Sequence, residues 1–166
     1  MAIRTGFKAG QVENIIRNLN KQVTKMEDRS LQSLISAAAL VRRSADSQSP
    51  KIPVDLGNLR KSWFTVTSNQ KVIAGKSPNF TGKQTAKLSA SHAAAIRHNM
   101  GVLKRTKGPA VRFGFSAFYS TIVHEMPEED TNWSRKGSGP KYLEASLRRN
   151  KDEIMKIIQK GVKITK

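Results

Sequence analysis

A long stretch without glycine or proline, between Gly10 and Pro50, restricts the possible folds more than any other part of the chain. Its apolar residues recur every three or four positions: Val12, Ile15, Ile16, Leu19, Val23, Met26, Leu34, Ile35, Ala38 and Val41. This spacing predicts an amphipathic helix over about Gln11–Ser47. As one helix it would be roughly 55 Å long at 1.5 Å per residue. Because its apolar stripe occupies one side only, the helix must pack on the rest of the chain or on a partner.

Two details of this segment affect its boundaries. Thr24 and Glu27 have the spacing of a capping box, so a break near Glu27–Ser30 is an alternative to one continuous helix. Pro50 and Pro53 end the helix, because proline restricts the residue before it and cannot continue the helical hydrogen bonding.

The remaining segments predict a small sheet and a second long helix. Alternating β-branched and aromatic residues are typical of strands and occur in Lys61–Ser68 and Val111–Phe115, with Val72–Ala74 as a short pairing partner. Phe118–Glu125 fits either a strand or a short helix. Pro140 suits the first turn of a helix over about Lys141–Val162. The order of elements predicts one α+β domain over residues 1–166, with a small antiparallel sheet between two amphipathic helices.

Positive charge is the second unusual feature. The 30 Lys and Arg outnumber the 12 Asp and Glu, giving a net charge of +18, which favours an acidic partner such as nucleic acid. Between Asp55 and Glu125 there are eleven basic residues and no carboxylate. Within this region, residues 75–109 are predicted to be a basic loop or arm inserted in the domain, with a thinly apolar helix over Lys83–Asn99.

The basic segment contains the residues expected to contact DNA or an acidic protein. These candidates are Lys76, Lys83, Lys87, Arg97, Lys104, Arg105 and Lys107. Phe80 is the one aromatic residue between Gly75 and Pro109, so the segment lacks the stacking platform typical of single-strand binding. Contact with DNA would therefore be non-specific and strongly salt-dependent.

Catalytic and metal-binding patterns are missing from the sequence. There is no cysteine, no glycine-rich phosphate loop and no nucleophile elbow. His124-Glu125 begins a zinc-protease pattern whose second histidine is absent, and His92 and His98 are six positions apart. The acidic run Glu128–Asp130 is typical of a solvated loop. We therefore expect no enzyme activity, no cofactor and no metal.

The sequence favours a chain that works without a membrane. The longest apolar stretch, Ala37–Val41, is far too short to span a bilayer, and Met1–Gly10 does not resemble a signal peptide. We expect a soluble protein that is made and assembles in a cytoplasm. Of the two tryptophans, Trp63 lies in a predicted strand and is expected in the core, whereas Trp133 lies in a Gly/Ser-rich loop and is expected to anchor a neighbour.

Three segments resemble, in order, the neck and tail-completion (head–tail connector) proteins of tailed bacteriophages. Pro53–Ser62 (PVDLGNLRKS) is similar to the family pattern P-V-D-T-G-x-L-R-x-S, and Tyr119–Glu125 (YSTIVHE) to Y-A-x-x-V-H-E. Gly139–Leu147 (GPKYLEASL) is similar to x-P-x-F-L-x-x-A-L. The chain departs from the family at Leu56, where threonine is usual, at Met126-Pro127 in place of Gly-Thr, and in the length of segment 75–109.

The resemblance implies a structural virion protein that forms a ring, a hexamer or dodecamer, between portal and tail and leaves a channel for DNA. Its partners would be itself and the neighbouring connector, portal-side or tail-tube proteins. The roles of neck adaptor, stopper and tail terminator remain alternatives. Family-motif and interface candidates are Pro53, Asp55, Gly57, Leu59, Arg60, Tyr119, His124, Glu125, Trp133, Pro140 and Leu143.

Two further hypotheses accompany this interpretation. Arg60 has the fork-shaped donor geometry that holds a carboxylate, and Glu125 is its candidate partner. The competing function is a stand-alone protein that binds DNA without sequence specificity.

Overall fold

Helix α1, Ala9–Ser47, is one continuous helix in the computed structural model, which describes residues 9–127 and 132–163, with side chains from Val12 onwards. The alternative of a break near Glu27–Ser30 is wrong. The second half of α1 is the part that packs on the domain, because Leu31, Ala38, Val41 and Ala45 are all buried.

The sheet has three antiparallel strands in the order β2-β1-β3: β1 is Trp63–Thr67, β2 is Val72–Ala74 and β3 is Val111–Phe115. Strand β1 is central and all five of its residues are buried. On one face Trp63 contacts the rings of Phe113 and Phe115 at centroid distances of 5.3 and 5.2 Å, and Arg42 of α1 lies over this cluster. Trp63 is therefore a core residue, as predicted.

Helix α3, Thr85–Lys104, covers the opposite face of the sheet. There Leu103, Ile96 and Met100 pack with Phe64 and Val66 of β1. The sequence predicted a shorter helix, Lys83–Asn99, within a loop or arm. The helix is longer and its apolar side is buried, since small residues such as Ala95 let a thin stripe approach the sheet.

The buried His92 also ties α3 to the sheet. Its Nδ1 lies 2.6 Å from the Ser116 Oγ, its Nε2–H donates to the Gly75 carbonyl, and Phe80 packs edge-on against its ring. Gly75 has φ +75°, and a Cβ there would lie 2.1 Å from the Trp63 carbonyl oxygen. This close approach requires glycine.

The C-terminal part forms two helices where the sequence predicted one over Lys141–Val162. Helix α5 is Tyr142–Arg149 and helix α6 is Lys151–Val162. The break falls at Asn150, which leaves the helical conformation with φ −102° and ψ 12°, and asparagine has a low intrinsic preference for helix interiors. Both helices pack against α1, and the buried Ser146 Oγ donates to the Val41 carbonyl at 2.7 Å.

Two short helices complete the fold: α2, Asn58–Lys61, and α4, Ser120–Glu125. The helical alternative for Phe118–Glu125 was therefore the correct one. The α+β class, with a long N-terminal helix, a small antiparallel sheet and a C-terminal helix, is confirmed. Within residues 9–127 and 132–163, no helix combines the length and apolarity that crossing a bilayer requires.

Candidate functional site: a groove between the motif segments

The three segments that carry the resemblance meet in one packed unit. Leu59 and Tyr142 belong to the same buried cluster, against which Tyr119, Val123 and Leu143 pack. The Lys141 N–H donates to the His124 carbonyl at 2.8 Å, which fixes the start of α5 against the end of α4. Leu59 and Tyr142, which are 83 positions apart in the sequence, thus share one core.

A groove of about 630 Å³ opens beside this core. One wall is the turn from Pro53 to Leu59, and another is formed by Tyr119, Val123 and Met126 of the α4 region. Trp133 lies half-buried at the groove. The indole Nε1 of Trp133 is buried, and within the described part of the chain it has no hydrogen-bond acceptor. That Trp133 anchors a neighbouring protein stays a prediction.

The turn on the groove wall depends on Gly57 and Asn58. Gly57 has φ +77°, the left-handed conformation that favours glycine. The buried Asn58 side chain then forms a two-point clamp: its Nδ2 donates to the Thr81 carbonyl at 2.8 Å, and its Oδ1 accepts from the Thr81 N–H at 2.9 Å. Pro53 is buried beneath the turn, while Asp55 and Leu56 are exposed on it.

Replacing Asn58 with aspartate is expected to lower the free energy of unfolding by about 1–2 kcal/mol. The substitution keeps the shape but replaces the Nδ2 donor with an oxygen that faces the Thr81 carbonyl. Urea unfolding followed by circular dichroism measures the change. Asn79→Asp is the matched control, since Asn79 is exposed in the neighbouring segment. Equal losses in both variants would contradict the role of the clamp.

Arg60 pairs with Asp46, so the hypothesis that it pairs with Glu125 is wrong. Its Nη2 lies 2.5 Å from the Asp46 Oδ2, because α2 packs against the C-terminal end of α1. Arg60 itself lies in helix α2. Glu125 instead forms an ion pair with Lys141 and accepts a hydrogen bond from His124 Nδ1 at 2.7 Å.

The Asp46 carboxylate lies at the centre of a cluster of three arginines, of which Arg60 is one. Arg135 reaches it from the segment before α5, with Nη1 2.9 Å from Oδ1 and Nη2 2.7 Å from the Asp46 carbonyl oxygen. Arg42 lies one helical turn before it, at 4.0 Å. Burial alone would raise the pKa of Asp46, but the hydrogen bonds from Arg60 and Arg135 and the nearby positive charge outweigh it and lower the pKa below the ordinary value.

The ion pair beside α5 has a related effect on Glu125. The hydrogen bond from Lys141, and then the one from His124, lower the pKa of Glu125 below its ordinary value. Lys141 has φ +55°, so α5 begins at Tyr142, one residue later than the predicted Lys141, and Pro140 lies before the helix and not in its first turn.

The predicted DNA-contact residues are all exposed. These are Lys76, Lys83, Lys87, Arg97, Lys104, Arg105 and Lys107. Arg97 and Lys104 are seven positions apart on α3 and so share a face, whereas Lys87 lies over the Phe118 ring at 3.9 Å. Within the described ranges none of the seven forms an ion pair with a carboxylate.

Several organising residues were missed by the sequence analysis. Asp46 and Arg135 are 89 positions apart, and the Asn58 clamp spans 23. No local pattern reports such pairs. The composition gave one signal for Asp46. With 30 basic residues and only 12 acidic ones, a carboxylate is expected to form ion pairs with more than one basic side chain.

The described residues form no cluster suited to metal chemistry. In the ranges 9–127 and 132–163, no three His, Asp or Glu side chains lie close enough to hold a metal ion. The acidic run Glu128–Asp130 lies outside the described residues. A scan against protein-family models, a search of curated proteins and a search of solved structures each find no match.

Proposed function

We propose that the chain is a structural subunit of a tailed-phage head–tail connector and has no catalytic activity. In this function it forms a closed ring in the virion neck or tail region, joins the portal side to the tail and leaves a channel for DNA. The observation that carries the proposal is the convergence of Pro53–Ser62, Tyr119–Glu125 and Gly139–Leu147 around one core and one groove.

This convergence matters because unrelated sequence coincidences have no reason to meet in space. Leu59, Tyr119 and Leu143 come from the three different segments, and all contact the same buried cluster. The exposed residues of the same segments, Asp55 and Glu125, remain on the surface and are available to a neighbour. The partners are other copies of the chain and the adjoining connector, portal-side or tail-tube proteins.

The mass of the assembled species tests this function. Purified full-length chain, examined by native mass spectrometry and negative-stain electron microscopy, is expected to form rings of a single copy number, six or twelve. Rings with a central opening support the proposal. A monomer at every concentration, which also ignores portal-side and tail-tube proteins, would overturn it.

A second candidate function is stand-alone, non-specific DNA binding, and the seven exposed cations of residues 75–109 favour it. The two functions differ in assembly state. A monomer that binds duplex DNA with a steep dependence on salt would support this alternative. In the connector, the same cations face DNA in the channel or an acidic neighbouring ring.

Contact between α3 and DNA has a measurable consequence in either function. Replacing both Arg97 and Lys104 with alanine is expected to reduce the slope of log affinity against log salt by about 1.8, because each lost phosphate contact contributes about 0.9. Fluorescence anisotropy with duplex DNA at several salt concentrations measures the slope. The control replaces Lys156 and Lys160, which are exposed on α6. An equal reduction of the slope in both variants would show that Arg97 and Lys104 contribute no more to DNA binding than other exposed cations.

A further inference from the structure

The first half of α1 projects beyond the body of the protein. Almost every residue from Val12 to Arg29 is exposed, and burial begins at Leu31. Helix α6 packs alongside α1 only as far as this point, since a Cβ on Gly161 near its end would lie 3.0 Å from the Arg29 carbonyl oxygen. Residues 12–29, about 27 Å of helix, form what we call the arm, which is separate from the basic segment 75–109.

The arm carries an unpartnered apolar stripe. Its residues are 41–59% exposed: Val12, Ile15, Ile16, Leu19 and Val23. A projecting helix of this length is only marginally stable in water, and most helices in proteins are stabilised by packing of an apolar face. Large apolar surfaces of this kind mark interaction sites.

Charge on the arm indicates what covers the stripe. At 100° per residue the basic side chains lie on the side opposite the stripe: Arg17, Lys21 and Lys25. The borders of the stripe carry Asn20, Gln22 and Glu27, and the fourth basic residue of the arm, Arg29, lies at one border near its base. Copies of a chain with a net charge of +18 repel one another, and this arrangement keeps Arg17, Lys21 and Lys25 away from a second copy that packs on the stripe.

The groove supplies the matching surface. Leu56 on its wall is 57% exposed, and Val123 and Met126 add apolar surface beside it. Trp133 lies half-buried at the groove, and the amides of Asn20 and Gln22 supply polar groups at the edges of the stripe. We infer that the arm of one copy docks in the groove of the next copy.

This contact deepens the proposed function, on which it rests, by naming the surfaces that join adjacent subunits. The arm and the groove are different surfaces of one chain, so each copy uses its arm on one neighbour and its groove on the other. Such a heterologous contact propagates from copy to copy and closes into a ring when the rotation between neighbours completes a full turn. Packing of one arm against another would instead be self-complementary and stop at a dimer.

Disulfide cross-linking between single-cysteine variants tests the contact, because the chain has no cysteine of its own. Leu19→Cys and Leu56→Cys proteins are mixed and oxidised mildly. A cross-linked dimer with one copy of each variant is expected, which only an intermolecular contact can produce. A single chain with both substitutions is expected to give a ladder of multimers up to the ring size.

Matched controls place the new cysteine on other surfaces. Lys21→Cys lies on the opposite side of the arm, and Ile73→Cys is an exposed apolar site, 44% exposed, on strand β2. Lys21→Cys is mixed with Leu56→Cys, and Ile73→Cys is mixed with Leu19→Cys. Neither pair is expected to cross-link. Equal yields from the control pairs would overturn the assignment, and so would Leu19→Cys alone forming dimers as its main product.

A second variant separates failure of this inference from failure of the proposed function. Leu19→Asp is expected to convert rings to monomers with little change in thermal stability, because the arm lies outside the core. Asn14→Asp makes the same charge change on the opposite side of the arm and is expected to keep the rings.

The outcomes distinguish the two proposals. If the unmodified chain and both variants form rings, the arm contact is wrong while the connector function stands. If the unmodified chain is monomeric and the mixed pair does not cross-link, both fail. Arm-dependent flotation with anionic vesicles, without cross-linking, would assign the stripe to a membrane and overturn the inference.

Discussion

Replacing Tyr142 with alanine is expected to lower the free energy of unfolding by about 3–5 kcal/mol, the cost typical of removing a large aromatic side chain from a core. Tyr142 is 1% exposed, and its ring lies 5.4 Å from Phe115 of β3 and 5.0 Å from His124 of α4. The loss would therefore separate α5 from both the sheet and α4. Urea unfolding of the full chain measures it.

Two variants show whether this loss belongs to the buried ring. Tyr142→Phe keeps the ring and is expected to change stability by less than about 1.5 kcal/mol. Leu147→Ala removes a side chain that is 40% exposed on the same helix and is expected to cost much less than Tyr142→Ala. If Leu147→Ala cost as much as Tyr142→Ala, the core position of Tyr142 would be contradicted.

Burial, and then the charge of Tyr119, raise the pKa of Tyr142 above its ordinary value. In the unfolded chain this phenol ionises near pH 10. The stability that its burial contributes is thus complete below that pH and is lost as pH rises towards the folded-state pKa. Ultraviolet absorbance during alkaline titration should show Tyr142 ionising together with unfolding, and ionisation in the intact fold would contradict this expectation.

Local patterns predicted most of the secondary structure. The apolar spacing of α1 and the alternation in β1 and β3 are determined by residues that are neighbours in sequence, so periodicity reports them directly. Val72–Ala74 and Val111–Phe115 have the predicted bounds. The break at Asn150 was missed because the spacing of apolar residues continues through it, while the break is confined to that single residue.

Tertiary relations were the part that sequence could not supply. The spacing of Arg60 and Glu125 in the sequence gives no information on the distance between their side chains. In the fold, Arg60 lies beside Asp46 of α1 and pairs with it. The packing of α3 was likewise missed, because a stripe of few apolar residues suffices where alanines allow a close approach to a sheet. The motif segments were predicted individually, and their assembly around one groove emerged only from the fold.

Replacing Asp46 with asparagine is expected to lower the free energy of unfolding by about 2 kcal/mol, because Arg42, Arg60 and Arg135 would then face one another without a carboxylate. This value lies below that of a fully buried pair, since the Asp46 side chain is 25% exposed and water screens part of the interaction. Glu125→Gln is the control, because that carboxylate is largely exposed and its loss is expected to leave stability close to that of the unmodified chain.

The dependence on pH identifies the carboxylate charge as the cause. Because the folded-state pKa of Asp46 lies below its unfolded value of about 3.9, its contribution is present above that pH and is lost as pH falls through the folded-state pKa. The difference between the unmodified chain and Asp46→Asn should therefore be largest near neutral pH and shrink below about pH 4. A double-mutant cycle between Asp46 and Arg60 should show coupling at neutral pH, and a cycle between Glu125 and Arg60 should show none. Coupling of equal size in the two cycles would restore the Glu125 pairing and contradict the cluster around Asp46.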